Sequence, residues 1–244
     1  MRNHISNISV VKKPSEMKRL STLFILFLFA FQQPEEKLHT VIGKTTYPFW
    51  LQIPKSDTKE EKPPVLIFLH GKSLSGTDLN RVKRYGVLRA MDKGRKIHAI
   101  VIAPQIASGN WNPDKVLEIL TYVQKTYKTD EKRVYVCGMS LGGYGTMHFV
   151  GKYPDRVTAA VAICGGGNVS DGCNLAKVPM WIQHGDKDYI VKMSESKKVY
   201  DAIKKCNPNA DATFTIIKGG NHGSVESLFH QNAMYDWMFK YKKN

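Results

Sequence analysis

Residues 133–143 read RVYVCGMSLGG, and the way this stretch must fold decides the architecture. Val134, Tyr135 and Val136 are β-branched or aromatic, which favours a strand. Gly138-Met139-Ser140-Leu141-Gly142 then forms G-x-S-x-G, followed by Gly143 and a helical pattern to residue 152. Such a strand-to-helix turn is so tight that side chains at the glycines would strike the neighbouring strand and helix. It forces strained backbone angles on Ser140 and lifts its hydroxyl clear of the sheet. There the N-terminus of the next helix favours developing negative charge. A bare G-x-S-x-G is common; the strand before it and the helix after it make this one informative.

Working outward, apolar runs of strand length recur at 65–69 (VLIFL), 97–103 (IHAIVIA), 157–163 (VTAAVAI), 178–183 and 213–217. Helical patterns fill 113–128, 141–152, 194–206 and 225–241. Continuous apolar strands alternating with helices predict an α/β fold, a mostly parallel central sheet with helices on both faces. Residues 41–54, where Tyr47, Phe49 and Leu51 alternate, read as an antiparallel edge strand. No repeat, second-domain linker or sizeable cap domain is evident. In such a sheet the ligand site lies at the carboxyl ends of the strands.

A nucleophilic serine needs a base, and the base an orienting acid. After the strand at 178–183 comes His184-Gly185-Asp186-Lys187-Asp188; after 213–217 comes Gly219-Gly220-Asn221-His222-Gly223. Ser140, Asp188 and His222 then stand in the order nucleophile, acid, base. Of the eight histidines, His222 alone falls in a loop between the last strand and the final helix. Asp188 is preferred as the acid; Asp186, directly after Gly185, more naturally caps the turn. Backbone N–H groups of Leu141 and of Lys72, which follows Gly71 after the strand at 65–69, are the expected oxyanion donors. His70 reads as a partly buried ring bonded to loop backbone. Trp111 could stack on a sugar or aryl group as a substrate-binding residue, or anchor its loop against the following helix. No metal ligand set stands out, and chemistry of this kind needs no cofactor.

The chain has 244 residues and a formal charge of +15, with 28 of its 36 basic residues lysine. Lys12, Lys13, Lys18 and Arg19 precede the apolar run 20–31, which is too short to span a bilayer and has the form of a secretory signal. Residues 1–33 are therefore expected to be a signal peptide or hydrophobic targeting segment, with Met1 or Met17 as the start. Residues 34–244 are expected to form a single catalytic domain, exported to a periplasmic or extracellular location, with no stable membrane insertion once the signal is removed. That part stays basic. Nucleic acid is excluded as a partner because the excess is lysine without a stripe of interleaved aromatics. Acidic polysaccharide stays open. Export permits disulfides; Cys164 and Cys173 flank a Gly-rich loop and are the expected pair, with Cys137 a buried free thiol.

These residues resemble the α/β-hydrolase superfamily over nearly all of 40–242. More narrowly, LHGKSLSGTD, GNWNPDKVLEIL, YVCGMSLGGYGTMHFVGKYPDRVTAAVAICGGG, IQHGDKD and GGNHGSV are similar to a group of secreted esterases and "predicted peptidases". That group is related to feruloyl and acetylxylan esterases and to prolyl oligopeptidase catalytic domains. The resemblance implies Ser140 as nucleophile, Asp188 as acid, His222 as base, Lys72 and Leu141 as oxyanion donors, and a serine carboxylic-ester hydrolase of small esters or ester-decorated polysaccharide. A peptidase with the same triad is the alternative, although the chain lacks the propeller that gates prolyl oligopeptidases. A non-catalytic carbohydrate-binding protein on this fold is a third reading, against which the intact triad argues.

Overall fold

The computed structural model describes residues 37–54 and 62–244; the expected targeting segment lies outside the described residues. Among the described residues eight strands make one sheet: β1 (Lys37–Val41), β2 (Phe49–Ile53), β3 (Val65–Leu69), β4 (Ile100–Pro104), β5 (Val134–Met139), β6 (Ala159–Ile163), β7 (Met180–Gly185) and β8 (Ala212–Ile217). Their spatial order is β1-β2-β4-β3-β5-β6-β7-β8. β1 and β2 pair antiparallel, β2 runs antiparallel to β4, and every pair from β4 to β8 is parallel. The expected single edge strand at 41–54 is thus a hairpin. Residues 42–48 form its connection, with Gly43 at φ 72°.

Each central strand is apolar throughout because both of its faces are covered. Val65, Ile67, Leu69, Val134, Val136, Ala160 and Ala162 face one core, against Val116 and Ile119 of α2 (Pro113–Thr126), Phe149 of α3 (Leu141–Lys152) and Val199 of a helix at Met193–Cys206. Leu66, Phe68, Tyr135, Cys137 and Val161 face the other, against Val87 of α1 (Val87–Asp92), Phe229, and Met234 of a helix at Asn232–Phe239. The alternation along β3 and β5 is the period-2 signature of a strand whose two faces are both buried.

The helix expected over 225–241 is two elements, a 3₁₀ segment at Ser224–His230 and α6 (Asn232–Phe239), separated by an extended Gln231. The break re-phases the chain. Val225, Leu228 and Phe229 are buried before it, and Met234, Tyr235 and Met238 after it. One unbroken helix would have turned Asn232 and Ala233 toward the core instead.

The cysteines pair differently from expectation. Cys173, in α4 (Gly172–Leu175), is bonded to Cys206, the last residue of α5 (Met193–Cys206), with Cα atoms 5.3 Å apart. Cys164 is a buried free thiol, as is Cys137. Cys164 directly follows β6, inside the sheet layer. Cys173 has been carried by the intervening loop onto α4, which lies so close to α5 that a Cβ on Gly172 would meet the Ala202 carbonyl oxygen at 2.7 Å. Proximity along the chain was the wrong guide.

The loop after β3 is held from beneath. His70 is fully buried. The Ile106 N–H donates to its Nε2 at 3.3 Å, which leaves Nδ1–H to donate to the Gly71 carbonyl at 2.8 Å. Burial lowers its pKa to about 4, so the ring stays neutral. Trp111 is only 3 % exposed; its indole N–H donates to the His70 carbonyl, and its ring packs edge-on against His70 and Tyr47. A Cβ on Gly145 of α3 would lie 2.6 Å from that ring. Buried in this packing, Trp111 anchors its loop and offers no surface to a sugar or aryl ligand, which corrects the substrate-binding expectation.

Two tests follow from this packing. Replacing both Cys173 and Cys206 with Ser should lower the unfolding free energy by about 3–4 kcal/mol, from the loop entropy released in the unfolded chain. Urea titration under oxidising conditions measures it, and no change would show that the bridge constrains nothing. The buried His70 should make the fold acid-sensitive. Its folded pKa lies below its unfolded value, so its contribution is complete above pH 6.5 and is lost as pH falls to about 4. Between pH 7 and 4, the wild type should lose about 3 kcal/mol more stability than His70→Gln. Equal losses would refute it.

Candidate active site

Ser140 caps the N-terminus of α3 with φ 59° and ψ −121°, a conformation that non-glycine residues rarely adopt. Its surroundings enforce it. A Cβ on Gly142 would sit 1.8 Å from the Leu69 carbonyl oxygen, one on Gly138 2.4 Å from that of Gly142, and one on Gly143 2.6 Å from that of Ile163. The Ser140 N–H donates to the Ile163 carbonyl at 2.9 Å, tying the turn to β6. The three glycines let β3, β5, β6 and α3 meet at one point, and the serine stands above it.

Ser140 Oγ lies 2.9 Å from His222 Nε2, and His222 Nδ1 lies 2.6 Å from Asp188 Oδ2. A carboxylate can only accept, so Nδ1 carries the ring proton and Nε2 is left to accept from the serine hydroxyl. Residues 140, 188 and 222, far apart in sequence, therefore form one hydrogen-bonded chain at the carboxyl ends of β5, β7 and β8. Asp188 Oδ1 accepts the N–H groups of Ile190 and Val191, each at 2.9 Å. Burial works to raise the Asp188 pKa, but hydrogen bonds from His222, Val191, Cys164 and Ile190 outweigh it and hold the carboxyl below its ordinary value. Asp186 serves the turn: its Oδ1 accepts the Gly219 N–H at 2.7 Å, joining the loops after β7 and β8.

Lys72 opens a 3₁₀ turn at Lys72–Leu74, and Leu141 opens α3. Backbone N–H groups at such first positions have no carbonyl behind them within the helix. Lys72 and Ser140 line one cavity of about 580 Å³, with Tyr85, Ile190, His222 and Glu226 also in its wall.

Four contributors were not read from the sequence. Tyr85 Oη accepts the Gly71 N–H at 3.1 Å and the Ser73 hydroxyl at 3.2 Å, bracing the loop after β3. Glu226 Oε1 accepts the Gly86 N–H at 2.9 Å and faces His230 Nε2 at 3.0 Å. Buried His184 reaches the Val191 carbonyl at 2.9 Å and Ser196 Oγ at 2.7 Å, fixing the loop that carries Asp188. Cys164, at φ 47°, brings its sulfur within 4.8 Å of ligand atoms of Asp188 and His222. Burial pushes its thiol up to about 12, so it stands as a protonated donor beside the Asp188 carboxylate. Tyr85 with Gly71, Glu226 with Gly86 and Cys164 with Asp188 meet partners far off along the chain, which spacing does not reveal; only the i,i+4 pair Glu226–His230 and the short reach of His184 to Val191 are local.

The fold and these positions can be set beside known proteins. A thermostable esterase of solved structure superposes with a TM-score of 0.74 at 26 % identity, over 85 % of this chain and 63 % of that one. A ferulic acid esterase shares the fold with a TM-score of 0.63 at 20 % identity, over 82 % of this chain and 96 % of that one. In sequence, the bifunctional acetylxylan esterase/xylanase XynS20E of Neocallimastix patriciarum is 33 % identical over 81 residues, 33 % of this chain and 12 % of that protein. Protein usf of Aquifex pyrophilus is 27 % identical over 147 residues, 50 % of this chain and 62 % of its own length. The chain thus spans less than two thirds of either relative. The architecture is that of the α/β-hydrolases, and residues 90–234, more than half of the sequence, match the dienelactone hydrolase family, to which this chain belongs.

Proposed function

We propose that this chain is an exported serine hydrolase that cleaves carboxylic esters, including acetyl or feruloyl esters of polysaccharides. The observation that carries the reading is the continuous chain from Ser140 Oγ through His222 to Asp188, at 2.9 and 2.6 Å. The activities that the thermostable esterase and the acetylxylan esterase/xylanase are named for point the same way. The basic-then-apolar N-terminus supports export, and the Cys173–Cys206 bridge suits an oxidising compartment.

The proposed reaction runs in two halves, acylation and deacylation. Ser140 Oγ attacks the ester carbonyl carbon while its proton passes to His222 Nε2. The carbonyl oxygen becomes the oxyanion and takes hydrogen bonds from the Lys72 and Leu141 N–H groups. The bond to the alcohol oxygen breaks, and His222 returns the proton to that oxygen as it leaves. Water then gives a proton to His222 and attacks the acyl carbon, the bond to Oγ breaks, and Ser140 regains its hydrogen as the carboxylic acid departs. Asp188 stays ionised throughout and stabilises the imidazolium. The strained turn keeps the serine rotamer and the helix N-terminus in register with this path.

Ser140→Ala should abolish p-nitrophenyl acetate hydrolysis and covalent labelling by a fluorophosphonate probe, with the fold retained by circular dichroism. Labelling equal to wild type would refute the nucleophile. Asp188→Asn should lower kcat by about 10³- to 10⁴-fold with a much smaller effect on KM, because the amide presents a donor to His222 and selects the wrong tautomer. Retention of more than about a tenth of wild-type kcat would assign the acid elsewhere.

A further inference from the structure

The loop that carries Asp188 is held by its peptide groups and by the carboxylates of Asp186 and Asp188. The N–H groups of Ile190 and Val191 hold the carboxylate, the Lys187 N–H donates to the Gly220 carbonyl at 2.9 Å, and the Val191 carbonyl faces His184 at 2.9 Å. The conformation is therefore fixed without any contribution from two large side chains on it. Tyr189 is 87 % exposed and Ile190 is 75 % exposed. Neither belongs to the cores on the two faces of the sheet. Burying an Ile side chain is favourable by kilocalories, so a rigid loop displaying one beside a tyrosine holds apolar surface ready for something else. Ile190 lines the same cavity as Ser140 and His222.

Which half of a substrate would meet it follows from the proton path, and this step rests on the ester-hydrolase reading above. The leaving oxygen must lie within hydrogen-bond reach of His222 Nε2 to take its proton. The acyl carbon and its oxyanion stay by Ser140 and the N–H groups of Lys72 and Leu141. The alcohol therefore lies on the histidine side of the serine. That is the side of Ile190, two residues from the acid that holds the histidine, and of Gly223, which follows the histidine; both line the cavity. We propose that Ile190, with the exposed Tyr189 next to it in the chain, forms the wall that receives the alcohol half of the ester, and that this alcohol carries an apolar face. An alkyl chain supplies one, and so does the C–H face of a sugar ring.

The test holds the acetyl group constant and varies the alcohol: ethyl acetate, hexyl acetate and methyl mono-O-acetyl-xyloside, followed by proton release in a pH-stat. The enzymes are wild type, Ile190→Ser and the Tyr189→Ser/Ile190→Ser pair. Both positions are exposed, so thermal unfolding of the variants should match wild type and remove folding as an explanation. The ratio of kcat/KM for a larger acetate over that for ethyl acetate should fall about tenfold in the double variant, chiefly through KM. A fall confined to hexyl acetate assigns an alkyl group, and one confined to the xyloside assigns the sugar face. Ratios unchanged for both would overturn the wall. A wild type inert toward all three, yet labelled at Ser140 by a fluorophosphonate, would instead sink the ester reading and this inference with it.

Discussion

The contact on which the rest depends is between two backbones: the Cα of Gly142 against the Leu69 carbonyl oxygen. Any side chain there would begin 1.8 Å from that oxygen. The closeness lets α3 start directly over the middle of the sheet, with β3 on one side of its N-terminus and β6 on the other. From it follow the positive φ of Ser140, the exposure of its hydroxyl, and the placing of the first N–H of α3 beside the loop after β3. Strain at one residue is tolerated because four elements pack around it and leave no relaxed alternative.

The supports beneath are arranged to make that point stiff. His70, Trp111 and Gly145 form a stack joining the loop after β3, the loop before α2 and the second turn of α3. Tyr85 braces the same loop from the cavity side. A neutral buried imidazole suits this work at ordinary pH: it accepts from one loop and donates to another, and a second proton would abolish the acceptor. The price is sensitivity to acid, which a tryptophan or leucine at that position would avoid without linking two backbones.

Much of this was legible in the sequence, and the reasons differ by feature. The parallel strands could be read because their apolar runs are continuous and end in Gly, Pro or Asp. The positions of Ser140, Asp188 and His222 could be read because the fold puts its polar loops at strand ends, so order along the chain becomes proximity in space. Features set by partners distant in sequence were not legible. The hairpin before β3 carries few apolar residues in its first strand. The break at Gln231 is a matter of helical phase, visible only once the core face is known. Trp111 looked like a ligand platform because it lies between two asparagines in a loop, yet the glycine that admits its ring is 34 residues away in α3. Cys173 finds its partner through the packing of α4 on α5, which spacing does not encode.

The loop from Gly185 to Val191 shows how one short segment divides its duties. Asp186 ties it to the loop after β8, joining the segments that carry Asp188 and His222. Asp188 Oδ1 satisfies the N–H groups of Ile190 and Val191, while Oδ2 faces His222 Nδ1 at 2.6 Å and His184 Nε2 at 3.4 Å. A carboxylate buried with only one donor would tend to take up a proton; with these donors its charge survives below the ordinary carboxyl range. Because the carboxylate and the peptide groups meet every structural demand, the side chains at 189 and 190 are released from any role in folding. A change at those two positions can therefore alter what the site accepts while leaving the arrangement of serine, histidine and acid intact.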